Sequence, residues 1–155
     1  MLAAIRAFFD DHLRSTPLEE NSKEHEIALA TAALLYEVVG ADHSAGEGEK
    51  QRVLDLLNQT FEFDPAELED LAELAQQEVR EAHDLFQFTR LINENFDEAQ
   101  RMAVITNMWR VAWADGEIHH YEEHLIRRVA DLLHLHHSHF IRAKLQARDE
   151  QLQGA

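Results

Sequence analysis

Two stretches of the chain decide its fold, because residues 35–42 (LYEVVGAD) and residues 108–115 (MWRVAWAD) repeat one pattern 73 positions apart. Each copy has an aromatic residue six positions before its aspartate, a valine four before it and an alanine directly before it. The same register continues downstream in three matched pairs: Glu49 with Glu122, Val53 with Ile126, and Leu56 with Val129. The sequence therefore predicts one unit that occurs twice, made of a buried helix, an acidic turn and an amphipathic helix.

Helical periodicity continues on both sides of these copies. With only five Gly and two Pro, the chain has few helix breakers. We expect capped helix starts at Asn21, Asp64 and Asp97, each followed three residues later by Glu or Gln. We also expect a first helix with one apolar face, formed by Leu2, Ile5, Phe9 and Leu13.

The predicted fold is an all-α, single-domain helical bundle that spans residues 1–155 and contains about seven to eight helices. The first repeat covers about residues 22–60 and the second about residues 97–135. Two such helix–turn–helix units can pack around a pseudo-twofold axis.

The charge of the chain is strongly acidic, with 30 Asp and Glu against 14 Lys and Arg, which gives a formal charge of −16. Such a field repels phosphate backbones, so we expect no nucleic-acid partner. Cations and basic protein surfaces are the favoured partners.

The chain has no cysteine, which excludes disulfides, thiolate metal sites and cysteine nucleophiles. No apolar run approaches the roughly 18–20 residues that span a bilayer, so we expect no transmembrane segment. Peripheral membrane contact is left open. Without an export signal, the expected location is the cytoplasm.

Residues 114–123 (ADGEIHHYEE) form the acidic turn of the second repeat. Gly116 has the place of a left-handed residue that ends a helix. Asp115 then lies in the last turn, where the helix dipole disfavours a carboxylate. Each turn aspartate either caps the backbone that follows or helps to bind a hard cation. The candidate ligands for a cation are Asp115, Glu117 and Glu122, with Asp42, Glu47 and Glu49 as a second set.

The Ala-Asp-Gly-Glu turn, the glutamate seven residues after its aspartate and the two helical repeats resemble the TerB-like family, named for bacterial tellurite resistance. The resemblance covers about residues 25–147, and residues 84–93 (DLFQFTRLIN) and 137–144 (HSHFIRAK) are similar to a bacterial branch of it. It implies an all-helical fold with a metal-binding acidic cluster. Carried over by position, that cluster is Asp115, Glu117 and Glu122 in the second repeat, and Asp42 and Glu49 in the first.

The first repeat departs from the family pattern, because His43 and Ser44 stand where Gly and Glu are expected. Two equivalent metal sites are therefore not implied. The family name does not imply tellurite chemistry either, since a chain without a thiol cannot reduce tellurite directly.

Residues 120–124 (HYEEH) match the inverted zinc-protease pattern, but only 31 residues follow in which a further ligand could lie. Seven of the eleven histidines fall between His119 and His139. Either they are ordinary surface and helix-end residues, which is the favoured interpretation, or some of them bind zinc or nickel: His120 with His124, or His134, His136, His137 and His139. We therefore expect a non-enzymatic TerB-like binding domain, related to stress, with a divalent metal ion at the acidic turn. The alternative is a metal-independent module whose acidic surface recruits a protein partner. A metal-dependent hydrolase is less favoured.

Overall fold

The computed structural model describes residues 18–41, 47–82 and 84–154, and the side chains of residues 18–23, 47, 115 and 154 lie outside that description. Within these ranges the chain forms α-helices, one short 3-10 helix and no β-strand. The predicted all-α bundle is therefore confirmed. The helices are α1 (Leu18–Gly40), α2 (Glu47–Thr60), α3 (Pro65–Glu81), α4 (Phe86–Asn95), α5 (Glu98–Ala112), α6 (His120–Leu132) and α7 (His137–Gly154).

The first helix predicted from Leu2, Ile5, Phe9 and Leu13 lies outside the described residues. None of the described helices has both the length and the apolar composition needed to cross a lipid bilayer.

Aspartate caps begin two of the helices, as predicted. The side chain of Asp64 accepts a 2.9 Å hydrogen bond from the backbone N–H of Glu67, and Pro65 occupies the first position of α3. At α5, Asp97 and Gln100 form a capping box through reciprocal hydrogen bonds of 2.8 and 2.9 Å. Each cap satisfies backbone donors that a helix start leaves without intrahelical partners.

The predicted cap at Asn21 is wrong, because α1 already begins at Leu18 and continues through Asn21. Residues 18–20 are Leu-Glu-Glu. These residues favour helix, and glutamates in a first turn interact favourably with the helix dipole. The helix therefore starts ahead of the capping signal.

Helix α1 lies at the centre of the bundle and packs against α2, α3, α4, α5 and α6. Its buried alanines let neighbouring helices approach closely. Its counterpart α5 is also buried on most sides and packs along α7. The matched aromatics of the two repeats, Tyr36 and Trp109, both enter this core, and burial raises the pKa of Tyr36 to about 12. The buried alanines of α1 are Ala28, Ala30, Ala32 and Ala33.

In the second helix of each repeat, the residues that the sequence repeat matches with one another are also the buried residues. In each helix the buried residues have the spacing of one helix face, and a glutamate at the third helical position begins that face. The buried face of α2 contains Glu49, Val53, Leu56 and Leu57, and that of α6 contains Glu122, Ile126, Val129 and Ala130.

Candidate functional site

The acidic turn of the second repeat begins where α5 ends. A short 3-10 helix, Trp113–Asp115, follows Ala112 directly, and we call it the 113–115 turn. Gly116 then adopts a left-handed conformation with φ of 87°, and its N–H donates a 2.9 Å hydrogen bond to the Trp113 carbonyl. The predicted left-handed glycine is confirmed. Because only glycine takes this conformation without strain, the chain reverses at Gly116 and enters α6.

Glu122 links this turn to the start of α6. Its side chain is completely buried, and Oε1 accepts a 2.9 Å hydrogen bond from the backbone N–H of His119, the residue that precedes the helix. This is the glutamate half of a capping box. Glu122 therefore caps the backbone, a role that is one of the two alternatives predicted from the sequence for the turn aspartates.

Glu49 has the matched position at the start of α2, and its side chain is 1% exposed. Removing an ionised carboxylate from water costs several kcal/mol unless hydrogen bonds or an opposite charge offset that cost. Two glutamates are buried at equivalent places, directly after the two acidic turns. The repeated burial marks both positions as more than solvated helix starts.

The first repeat contacts the turn of the second repeat. Helix α2 of the first repeat packs against the 113–115 turn of the second, and Gly48 lines the same cavity as Trp113 and Ala114. Helix α1 in turn contacts α6. The helix that carries Glu49 therefore lies beside the turn that contains Asp115.

The five predicted metal ligands have different environments. Glu49 and Glu122 are buried, whereas Glu117 is exposed. Asp42 lies outside the described residues, as does the side chain of Asp115. Among the side chains that are described, no group of three or more His, Asp or Glu residues is arranged to hold a metal ion. The five-carboxylate site stays a prediction.

The histidine-rich segment is mostly at the surface. His120 and His124 of the zinc-protease pattern are both exposed. His139 is partly buried, with Nε2 3.7 Å from a carboxylate oxygen of Glu98. These positions agree with the interpretation of the histidines as surface and helix-end residues.

A cavity of about 430 Å³ lies between α2, the 113–115 turn and α7. Arg110 and Glu150 at its wall form a bidentate ion pair, with Nε–Oε2 and Nη2–Oε1 distances of 2.7 and 2.8 Å. The hydrogen bond from Arg110 holds the pKa of Glu150 below its ordinary value. This pair was not predicted from the sequence. The sequence does contain one sign of it, because Arg110 has the position in the second repeat that Glu37 has in the first.

Glu37 itself is partly buried in the last two turns of α1. Burial raises the pKa of its carboxyl above the ordinary value. Glu37 is therefore a further acidic group near the end of α1, and it was not among the candidate site residues predicted from the sequence.

Replacing Glu150 with glutamine is expected to make the stability of the protein less sensitive to acid. A carboxyl whose pKa is lowered by folding stabilises the native state above its unfolded pKa of about 4.3. That contribution is lost as the pH falls through the folded pKa. Urea denaturation of wild type and Glu150→Gln at pH 7, 5 and 3 measures the difference, which we expect to be about 1 kcal/mol or less at pH 7. Equal losses of stability on acidification would contradict the assignment.

Comparison with known proteins identifies the family. Searches of curated proteins and of solved structures returned no significant match. A family model described as tellurite resistance protein TerB matches residues 28–145, which is more than half of the chain. That range contains both turns, both buried glutamates and the helices that carry them. The chain belongs to the tellurite resistance protein TerB family.

Proposed function

We propose that the protein is a non-enzymatic binding domain that holds one divalent cation between its two acidic turns. The observation that carries this proposal is the burial of Glu49 and Glu122, 1% and 0% exposed, at matched positions after those turns. Asp42 and Asp115 complete the proposed ligand set.

The chemistry of these residues suits a hard cation. All four supply carboxylate oxygens, which Ca²⁺, Mg²⁺ and Mn²⁺ prefer over nitrogen or sulfur ligands. A bound cation also offsets the cost of burying ionised carboxylates in a chain whose formal charge is −16. Glu122 already accepts a 2.9 Å hydrogen bond from the backbone N–H of His119, which fixes its carboxylate at the start of α6.

One shared site fits better than one site for each repeat. Helix α2, which carries Glu49, packs against the 113–115 turn of the other repeat. The exposed side chain of Glu117 belongs at the rim of such a site rather than at its centre. A cation bound here would tie the two helix–turn–helix units together, so we assign it a structural role and no reaction.

Thermal melting of the chelator-treated protein against a panel of divalent ions tests this function. At 100 times the Kd, a ligand specific for the native state adds about 2.7 kcal/mol. For a chain of this length that corresponds to an increase in Tm of about 5–10 °C. Ionic strength must be matched, because any salt screens the acidic charge. We expect one or two ions to give this increase, and Asp115→Asn to remove it.

A second candidate function is an adaptor that binds a basic protein without a metal. The observation that favours it is an exposed acidic face on α3, formed by Glu69, Asp70, Glu73 and Glu81. A small, uniform Tm shift with every ion would support this function and argue against the cation site. The stress-related role and the cytoplasmic location also stay predictions, which tellurite-challenge growth and cell fractionation test.

A further inference from the structure

Helix α7 has an apolar surface on the side that faces away from the core. Its core face is formed by Phe140, Ala143 and Ala147, all of which are buried. On the opposite side, Ile141, Leu145 and Leu152 are 37%, 40% and 70% exposed. An open groove of about 740 Å³ runs along Ile141 and Leu145. We call this surface the outer face of α7.

The spacing of the outer face is that of a helix-pairing seam. The seam consists of four residues separated by four, three and four positions: Ile141, Leu145, Arg148 and Leu152. This is the a and d pattern of a two-stranded coiled coil. Arg148 fits such a position because its aliphatic stem can cover an apolar neighbour while its charge reaches water.

The charged residues that flank this seam have opposite signs, so those of one copy can pair with those of a second copy. Arg142 and Asp149 are both exposed and each follows a d position of the seam. If two copies of α7 pair antiparallel, with Ile141 of one copy opposite Leu152 of the other, Arg142 of each copy lies close to Asp149 of its neighbour. A twofold axis then creates this ion pair twice.

The distribution of charge also favours a second copy at this surface. Residues 118–155 contain five basic and five acidic residues, whereas residues 1–117 contain nine basic and 25 acidic residues. The whole net charge of −16 therefore comes from residues 1–117. Two identical acidic chains repel each other least when they approach through their neutral part.

From these observations we propose that the protein forms a weak, symmetric dimer through antiparallel pairing of the outer faces of two α7 helices. The seam is only about three helical turns long, so the interface is small and the dimer dissociates on dilution. The other faces of the bundle stay free for the proposed cation site and for partners.

Sedimentation velocity over a wide concentration range tests this proposal. We expect the wild type to pass from monomer to dimer as its concentration rises, and Leu145→Asp to stay monomeric. Phe86→Asp is the matched control, because Phe86 is an apolar residue, 59% exposed, on α4 rather than on the helix that carries the seam. It should associate like the wild type, and circular dichroism should show that both variants are folded.

Reversing the charges at Arg142 and at Asp149 tests whether the two α7 helices pair antiparallel. Arg142→Asp and Asp149→Arg each place like charges opposite one another, so each should weaken self-association by about tenfold or more. An equimolar mixture of the two variants restores opposite charges at both contacts and should recover the dimer. A wild type that is monomeric at every concentration would overturn the proposal, as would undiminished association of Leu145→Asp or a mixture no stronger than its components. A monomeric wild type would leave the outer face to a different protein.

Discussion

Replacing Trp109 with alanine is expected to lower the free energy of unfolding by about 3–5 kcal/mol. Trp109 is completely buried, its ring centroid lies 5.2 Å from that of Phe140, and the ammonium of Lys144 lies 5.4 Å from its centroid. Truncation removes the packing of the indole against Phe140, which is one of the contacts between α5 and α7, and leaves a large cavity. Because domains are stable by only about 5–15 kcal/mol, the loss is a large share of the total.

Urea denaturation followed by circular dichroism measures this loss. Trp109→Phe should lose much less, because phenylalanine fills most of the space and the indole Nε1 has no hydrogen-bond partner within the described structure. Tyr121→Ala is the surface control, since Tyr121 is 67% exposed, and it should change stability by no more than about 0.5 kcal/mol. An unchanged midpoint for Trp109→Ala would contradict the packing of α5 against α7.

Replacing both Glu49 and Glu122 with glutamine is expected to abolish the stabilisation by divalent cations. The amide keeps the size of the side chain and the oxygen that accepts from the backbone of His119, but it removes the charge that a cation requires. In cation-free buffer we therefore expect a change in stability of about 1 kcal/mol or less. At 100 times the wild-type Kd, the variant should lack the increment of about 2.7 kcal/mol.

The matched control for this double variant is Glu78→Gln. Glu78 is also a buried glutamate, 4% exposed, but it lies in α3, outside both helix–turn–helix units. Its substitution should leave the response to cations intact. If the double variant kept the full response, the buried glutamates would be caps without a ligand role.

Local signals in the sequence predicted much of the fold. The starts of α3 and α5 follow from aspartate caps, and the end of the 113–115 turn follows from Gly116, because each depends on residues within one helical turn. The start of α1 was predicted too late because the favourable residues at 18–20 extend the helix beyond its apparent cap at Asn21.

The features of the site depend on contacts that local patterns do not contain. The repeat aligned Glu49 with Glu122, yet their burial follows from how α2 and α6 pack into the core. The sequence also grouped Glu117 with Glu122 although one is exposed and the other buried. Likewise, Arg110 pairs with Glu150 across forty residues, which no short motif reports.

The Arg110–Glu150 ion pair and the buried glutamates show that tertiary packing determines which acidic residues are paired or buried. Thirty Asp and Glu residues are distributed along the chain, and most of those described are solvated. Among the described residues three glutamates are buried, and two of them, Glu49 and Glu122, have matched positions after the turns. That shared position, rather than burial alone or the abundance of acidic residues, is the basis of the proposed cation site.

Isothermal titration of Ca²⁺ and of Mn²⁺ into the chelator-treated protein tests the central claim most directly. A cation shared by the two repeats predicts saturable binding of one ion per chain, lost in Glu49→Gln and in Glu122→Gln when each is tested alone. Binding of two ions per chain, binding that survives either substitution, or no saturable binding of either ion would contradict a shared site.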